Sequence, residues 1–446
     1  MQPTLLISCI ITFAMLVAGG SLQAATRTVC GSVKFKDYRT GCTGNGVDLT
    51  GRLDPCSGST GNEMNIRKTF IEVWDNDPGG TDDYIGKWFV PSRGSFCLTF
   101  EWENKSYSMG EANPDVYFRY SDWKWGYGGD FAQLTVEDWD EDTATSAPPP
   151  AISWDVTGYR AEECTNGANC WLGGVLLVST TNDDLAKRFM IGDTGAHTLD
   201  VFGDDSSDPR IGNYTALYET EGTGGVSMSA TSFKVYDGSA HNMLTTPHEM
   251  GHRYIRTLWG DTDYAPHSYT ACYPGASHTL VSQECDRVAT DEGWCNYIAV
   301  RSWWDPENTS SVPYLWNHDF ERAVPVYTVG VYTIKDCHTA NRGVELAVAR
   351  GFWDLDDAHQ DSSAAPAPVR TDYVNLDSLE LAMNWTRFSP GTANRRIGEG
   401  YGLTPTDYNG ANLWDYWYNG YNYWPNTDYL WVSLLDMQCQ YDMDYN

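Results

Sequence analysis

Apolar and polar positions alternate with a period of two along the first third of the chain. Such runs occupy residues 70–74, 84–90, 94–100 and 115–120, and turns rich in Gly, Asp and Pro separate them. Short strands of alternating character at regular spacing are typical of antiparallel sheets that pack face to face. The pattern therefore predicts an N-terminal antiparallel β-sandwich over residues 25–145.

The pattern changes after residues 146–151, where three consecutive prolines predict an extended linker. Longer apolar-periodic stretches then mix with short apolar runs, which indicates helices and strands together. The predicted elements are strands at 172–178, 214–218 and 232–236 and helices at 185–202, 290–300, 343–357 and 376–388. We expect an α+β domain over residues 152–446, whose last part, residues 401–446, is rich in aromatic side chains.

The first 24 residues carry no charged side chain and hold an apolar core that is followed by small residues. This pattern predicts a secretory signal peptide over residues 1–24, cleaved near Ala24. We therefore expect a secreted protein, extracellular or periplasmic. No later segment is long and apolar enough to span a bilayer, so we expect no membrane insertion.

Cysteine usage agrees with export. Of the twelve cysteines, eleven remain after signal removal, so disulfides are expected and at least one thiol stays unpaired. Spacing makes Cys164 with Cys170, and Cys272 with Cys285, plausible pairs.

The net charge of −31 repels phosphate backbones and anionic lipids, which excludes nucleic acid as an expected partner. Acidic turns also suit Ca²⁺, and Asp75, Asp77, Asp82 and Asp83 are candidate ligands. The alternative is that these aspartates cap turns through their own backbone.

The segment with the clearest chemistry is His248-Glu249-Met250-Gly251-His252, which matches the pattern HExxH. Residues four apart lie on one face of an α-helix, so His248 and His252 can both bind one Zn²⁺. Glu249 then projects beside the metal, where its carboxylate can take a proton from a zinc-bound water. The pattern predicts a zinc site with Glu249 as the catalytic base.

The same residues also fit an ordinary helix start. Thr246 can act as the N-cap, Pro247 suits the first helical position, and Glu249 completes a capping box. A carboxylate that bonds back to the cap amide is not available as a base, so the two interpretations compete for the same side chain.

A catalytic zinc needs a third protein ligand and an open position for water. Glu292 lies in the first turn of the helix predicted over residues 290–300 with Thr290 as its cap, and Gly293 lets another backbone approach. The other downstream candidates are His267, His278, Glu284, Asp286 and Asp291.

An HExxH helix followed by a helix with the sequence E-G-W resembles the gluzincin zinc peptidases, in particular secreted bacterial members. The resemblance implies that His248, His252 and Glu292 are the zinc ligands. The extended pattern of the metzincins is absent, because position 255 is Ile and position 258 is Leu. The N-terminal motifs V-x-D-x-D, D-D-x-I-G, G-x-F and N-P-D-V-Y resemble transthyretin-like and carboxypeptidase-regulatory-like sandwich domains, which implies an accessory module.

These observations together predict a secreted zinc peptidase that acts on protein or peptide substrates. A further donor would stabilise the transition state, and Tyr297, His318 and His338 are the open candidates. The alternative is a non-catalytic surface protein that binds glycan or protein through the sandwich and through the aromatic residues of 401–446, with HExxH as a helix start.

Overall fold

The computed structural model describes parts of the chain between residues 25 and 356. The described residues are 25–37, 62–75, 81–91, 94–102, 116–126, 133–140, 142–149, 152–154, 169–176, 183–202, 213–227, 229, 231–259, 280, 286–304, 306, 313–315, 318–319, 328–329, 332–333 and 345–356. Within them the chain forms a mixed, sheet-rich fold with few helices.

The strands are β1 (Ala25–Asp37), β2 (Asn62–Asn65), β3 (Thr69–Asp75), β4 (Asp83–Val90), β5 (Ser95–Trp102), β6 (Val116–Tyr120), β7 (Lys124–Gly126), β8 (Gln133–Asp140), β9 (Thr145–Ala147), β10 (Ile152–Trp154), β11 (Asn169–Leu176), β12 (Tyr214–Glu219), β13 (Gly225–Ser227), β14 (Ser232–Tyr236), β15 (Tyr314–Leu315), β16 (His318–Asp319), β17 (Thr328–Val329) and β18 (Tyr332–Thr333). The helices are α1 (Asp183–Phe202), α2 (Thr245–Trp259), α3 (Asp286–Arg301) and α4 (Glu345–Asp356).

The smaller of the two main sheets is built on the long strand β1. This strand pairs antiparallel with β2 and β5 and parallel with β11. A disulfide joins Cys30 of β1 to Cys97, its direct partner in β5. The ring of Phe96 in β5 lies 5.1 Å from that of Phe118 in β6, which belongs to the larger sheet. Aromatic packing therefore holds the two sheets together at this point.

The larger sheet has the strand order β10-β6-β3-β7-β8-β12-β14-β13, with β4 on β3 and β9 on β8. Strand β3 alternates fully buried with half-buried residues, as its period of two predicts. Among the described residues, every strand pair formed between residues 25 and 147 is antiparallel, which agrees with the antiparallel strands predicted there.

Strands from both sides of residues 146–151 share these sheets. Strand β10 pairs with β6, and β12 pairs in parallel with β8. The hydrogen-bonded sheets thus continue past the predicted linker, and the division into two domains stays a prediction.

Helix α1 lies directly on the larger sheet, and two glycines make this possible. A Cβ atom at Gly192 would lie 2.3 Å from the ring of Trp125 in β7, and one at Gly195 would lie 2.1 Å from Cδ2 of Leu134 in β8. The prediction that the helix continues to residue 202 despite these glycines is confirmed. The missing side chains allow close packing, which outweighs the low helix propensity of glycine.

A buried ion pair ties α1 to the segment before β3. The guanidinium of Arg67 donates two hydrogen bonds to Asp193, at 2.5 and 2.9 Å. One turn further along α1, the ring of His197 lies 4.5 Å from that of Trp303. Burial lowers the pKa of His197 to about 3, and the nearby charges of Arg67 and Lys68 contribute to this shift.

Helix α3 packs between α2 and α4, and a glycine marks each contact. A Cβ atom at Gly251 of α2 would lie 2.8 Å from Cα of Cys295, and one at Gly293 of α3 would lie 2.6 Å from Cβ of Val348 in α4. The three backbones therefore approach more closely than larger residues allow.

The prediction that Thr290 caps α3 is wrong, because the helix begins at Asp286. Val288, Ala289 and Thr290 are all buried within it. The burial of Val288 and Ala289 stabilises the helix before the predicted cap, since apolar packing outweighs a local start signal.

Several predictions fall outside the described residues. These are the signal peptide at 1–24, the pairs Cys164–Cys170 and Cys272–Cys285, the helix at 376–388 and the aromatic residues of 401–446. In the part of the chain that is described, no helix has both the length and the apolar character needed to cross a membrane.

Candidate metal centre

Helix α2 follows β14 through a short 3-10 turn (Asp237–Ser239) and presents the HExxH residues at the edge of the core. The carboxamide of Asn242 accepts a hydrogen bond from the amide of Leu244, just before the helix begins. Met250 and Tyr254 are buried on the core side. His248 and His252 lie on another face, with ring centroids 5.1 Å apart.

Helix α3 brings Glu292 to the same point. Its Oε2 atom lies 3.1 Å from Nε2 of His248 and 3.6 Å from Nε2 of His252. Two donors bound tetrahedrally to zinc at about 2.1 Å are about 3.4 Å apart. The ligand atoms of all three side chains lie within 4.8 Å of one another. The spacing and the N, N, O donor set therefore fit a zinc ion.

The electrostatics of the group favour positive charge. Burial alone lowers the pKa of His248, but the hydrogen bond and the charge of Glu292 outweigh it and leave this pKa above its ordinary value. Burial also lowers the pKa of His252, but the negative charges of neighbouring Glu292 and Asp291 outweigh it and leave this pKa well above its ordinary value. A metal cation can replace the proton that this field attracts.

Each histidine makes a second contact through its other ring nitrogen. Nδ1 of His248 lies 2.9 Å from Oδ1 of Asn296, and Nδ1 of His252 lies 3.3 Å from Oδ1 of Asp291. These oxygens accept hydrogen bonds, so each Nδ1 carries the proton in the neutral ring. The Nε2 atom of each histidine then carries a lone pair that faces Glu292 and can bind a metal ion.

A second group that could hold a metal consists of His252, Asp291 and Cys295. Asp291 lies on the Nδ1 side of His252, opposite the nitrogen that faces Glu292. A neutral imidazole offers one lone pair, so His252 serves one of the two groups at a time. The group with His248 has the donors of a catalytic zinc site, and Asp291 then orients His252.

Glu249 lies against the edge strand β13. A Cβ atom at Gly225 would lie 2.4 Å from Oε1 of Glu249 and 2.7 Å from its Cγ and Cδ. The charge of Glu249 also contributes to the raised pKa of His248, which places the carboxylate near the ligand group. Glycine at position 225 thus leaves room for the predicted base.

The capping-box interpretation is not supported by the backbone. Helix α2 begins at Thr245, and the amide of His248 already bonds to the carbonyl of Leu244. Thr246 is therefore inside the first turn rather than at the cap position, and the carboxylate of Glu249 contacts Gly225.

The structure describes two of the three candidates for a transition-state donor, Tyr297 and His318. The hydroxyl of Tyr297 is buried and donates to Asp356 of α4 at 2.9 Å, where Arg301 also donates. The backbone of His318 forms part of β16, and His338 lies outside the described residues. Of the other ligand candidates, Asp286 begins α3, while His267, His278 and Glu284 lie outside the described residues.

The aspartates considered for Ca²⁺ do not form a metal group among the described residues. Asp82 accepts a hydrogen bond from the hydroxyl of Tyr117, Asp75 is buried at the end of β3, and Asp83 begins β4. Asp77 lies outside the described residues, so calcium binding stays a prediction.

Sequence reasoning did not assign roles to Asn296 and Gly225. Asn296 follows Glu292 by one helical turn and is a fully buried polar residue. In the sequence, a polar residue on an otherwise apolar helix face was the pattern that could have indicated its role. Gly225 belongs to a strand of three residues with glycines before it, and no local pattern indicates its contact with Glu249.

Comparisons with known proteins do not identify a family. No protein-family model matches the sequence, and no curated protein matches it. Among solved structures, a 9R-lipoxygenase from Cyanothece PCC8801 is similar to part of the chain, with 13% sequence identity and a TM-score of 0.18. The match covers 41% of this chain and 24% of that enzyme, and at this TM-score it carries no argument about fold or function.

Proposed function

We propose that the protein is a secreted zinc-dependent peptidase that hydrolyses peptide bonds in protein or peptide substrates. The observation that carries the proposal is the convergence of His248, His252 and Glu292, from two helices, on one point. Three protein ligands with a carboxylate next to them form the donor set of catalytic zinc sites. The resemblance of HExxH and the E-G-W helix to gluzincins, and the strand that leads into α2, support a zincin-like domain.

His248, His252 and Glu292 would hold a Zn²⁺ ion, which would supply Lewis acidity to polarise the scissile carbonyl and to lower the pKa of a water molecule. Glu249 accepts the proton of the attacking water and donates it to the nitrogen of the leaving amine. Asn296 and Asp291 hold the histidine rings with their Nε2 atoms towards Glu292.

A peptide substrate is supported by the strand beside Glu249. Strand β13 ends the described strand order of the larger sheet, and the side chain of Val226 is 46% exposed. The backbone of a terminal strand can pair with an extended peptide, and alternate side chains of that peptide then point towards the protein. This pairing would carry the scissile bond past Glu249.

Secretion is supported by the uncharged apolar pattern of residues 1–24 and by the disulfide Cys30–Cys97. Within this proposal, the paired sheets of residues 25–145 form a transthyretin-like sandwich that serves as an accessory module.

The test combines metal analysis with proteolysis. We expect the purified protein to contain one zinc per chain and to hydrolyse casein, and chelation to abolish hydrolysis. Glu249→Gln should keep the zinc and lose hydrolysis by about a thousandfold or more. Glu221→Gln changes an exposed carboxylate near β13 and serves as the matched control.

Wild-type hydrolysis by Glu249→Gln would refute the proposed mechanism. A zinc-free protein that hydrolyses nothing would instead favour the alternative of a non-catalytic protein that binds glycan or protein.

A further inference from the structure

A buried carboxylate on α4, that of Glu345, is linked to the proposed zinc ligand His248 through one intervening side chain. Asn296 of α3, which touches His248, also donates a hydrogen bond from Nδ2 to Oε2 of Glu345, at 3.4 Å. Both side chains are buried, with exposed fractions of 0% for Asn296 and 3% for Glu345. The three side chains therefore form a chain of contacts from α2 through α3 to the first residue of α4.

The chemistry of these groups fixes the direction of the contacts. A carboxylate only accepts hydrogen bonds, so the NH₂ end of the Asn296 amide must face Glu345. The oxygen end then faces Nδ1 of His248, which must carry a proton to donate to it. In the reversed orientation, the NH₂ group would face the ring and require a lone pair on Nδ1, which would place the proton on Nε2.

We propose that Glu345 is a positioning residue that orients the Asn296 amide and thereby keeps the Nε2 lone pair of His248 directed at the metal site. The inference deepens the proposed function, because it rests on His248 as a zinc ligand. Buried partners of this kind are expected to change metal affinity by about 10-fold to 100-fold when they are removed.

The packing of α3 on α4 supports this role. Gly293 lies one turn before Asn296, and a Cβ atom there would lie 3.0 Å from the carbonyl oxygen of Glu345. Leu346 also donates a backbone hydrogen bond to the carbonyl of Leu280. The contact with Gly293 sets the backbone of Glu345 against α3 independently of its side chain, and the bond to Leu280 holds the first turn of α4.

The test is a double-mutant cycle on zinc affinity, measured by competition with a chromophoric chelator. We expect Glu345→Gln to weaken zinc binding about 10-fold, because an amide at 345 accepts either orientation of Asn296. Asn296→Leu should weaken it by 10-fold to 100-fold. In the Asn296→Leu background, Glu345→Gln should cause no further loss, because Glu345 acts through Asn296.

A reversed pair supplies a second measurement if Asn296→Leu does not fold. In the double variant Asn296→Asp with Glu345→Gln, the amide of the new glutamine donates to the new aspartate, which accepts from His248. This variant should return zinc affinity to within about threefold of wild type. Glu219→Gln is the control, since it changes a buried carboxylate that contacts Lys234 and should leave zinc affinity unchanged.

The outcomes separate the two proposals. Wild-type zinc affinity in Glu345→Gln, or an equal loss with and without Asn296, would overturn the positioning role while leaving His248 as a ligand. A wild-type protein that binds no zinc would overturn both. Zinc binding with the expected cycle but no proteolysis would support the positioning role and overturn the proposed peptidase.

Discussion

The contact between Gly225 and Glu249 gives a direct test of where the proposed base lies. Replacing Gly225 by alanine adds one methyl group, which would lie 2.4 Å from Oε1 and 2.7 Å from Cγ and Cδ of Glu249. Carbon and oxygen atoms in van der Waals contact are at least about 3.4 Å apart. The carboxylate must therefore move by about 1 Å.

A displacement of about 1 Å at a catalytic group can lower the rate about 100-fold, which corresponds to about 2.7 kcal/mol of transition-state stabilisation. We expect Gly225→Ala to lower kcat by this amount with casein or a fluorogenic peptide as substrate. Zinc content should stay at the wild-type value, because the three atoms nearest to the added methyl group all belong to Glu249.

Two comparisons make the result decisive. Thr223→Ala removes an exposed side chain from the same segment and should leave kcat unchanged. In the Glu249→Gln background, Gly225→Ala should cause little further loss, because the group that it displaces no longer acts as a base. A Gly225→Ala enzyme that keeps wild-type kcat and zinc would refute the conclusion that this contact positions the base.

Three further predictions concern stability and pH. Below the raised pKa of His248 and His252, protons stabilise the metal-free fold and compete with zinc, so the rise in Tm on adding zinc should shrink from about pH 8 to about pH 6; an equal rise at both values would contradict this. In the unfolded chain His197 takes up a proton below about pH 6.5, whereas its pKa in the fold is about 3. The free energy of unfolding therefore falls by about 1.4 kcal/mol for each unit that the pH is lowered between these two values. The stability of His197→Phe relative to wild type, measured by urea unfolding, should therefore rise by about 2.5 kcal/mol between about pH 6 and pH 4, and a constant difference would refute this. Asp356→Asn leaves the donors of Tyr297 and Arg301 without their charged acceptor. The free energy of unfolding in urea should therefore fall by about 3 kcal/mol, and a fall of less than about 1 kcal/mol would count against this role.

The parts of the fold that follow from local pattern were predictable. The period of two in residues 70–74 indicates strand β3, and its burial alternates accordingly. The spacing of His248 and His252 on α2 likewise follows from helical geometry alone. In both cases the information lies within a few consecutive residues.

The parts that depend on tertiary contact were not predictable in the same way. Helix α3 starts before Thr290 because Val288 and Ala289 are buried, and burial is decided by distant chain segments. The sequence offered Glu292 as one of several third ligands, and only the packing of α3 on α2 brings it to His248. The role of Asn296 depends on contacts with two other helices at once.

The close approach of α2 and α3 also affects the free thiol of Cys295. A Cβ atom at Gly251 would lie 3.2 Å from the Sγ atom of Cys295, and the side chain of Cys295 has no exposed surface. Thiol–disulfide exchange requires an accessible thiolate, and burial raises the pKa of this thiol well above its usual value. Once the chain has folded, helix packing therefore shields this thiol from exchange with other thiols and disulfides for as long as the fold is intact.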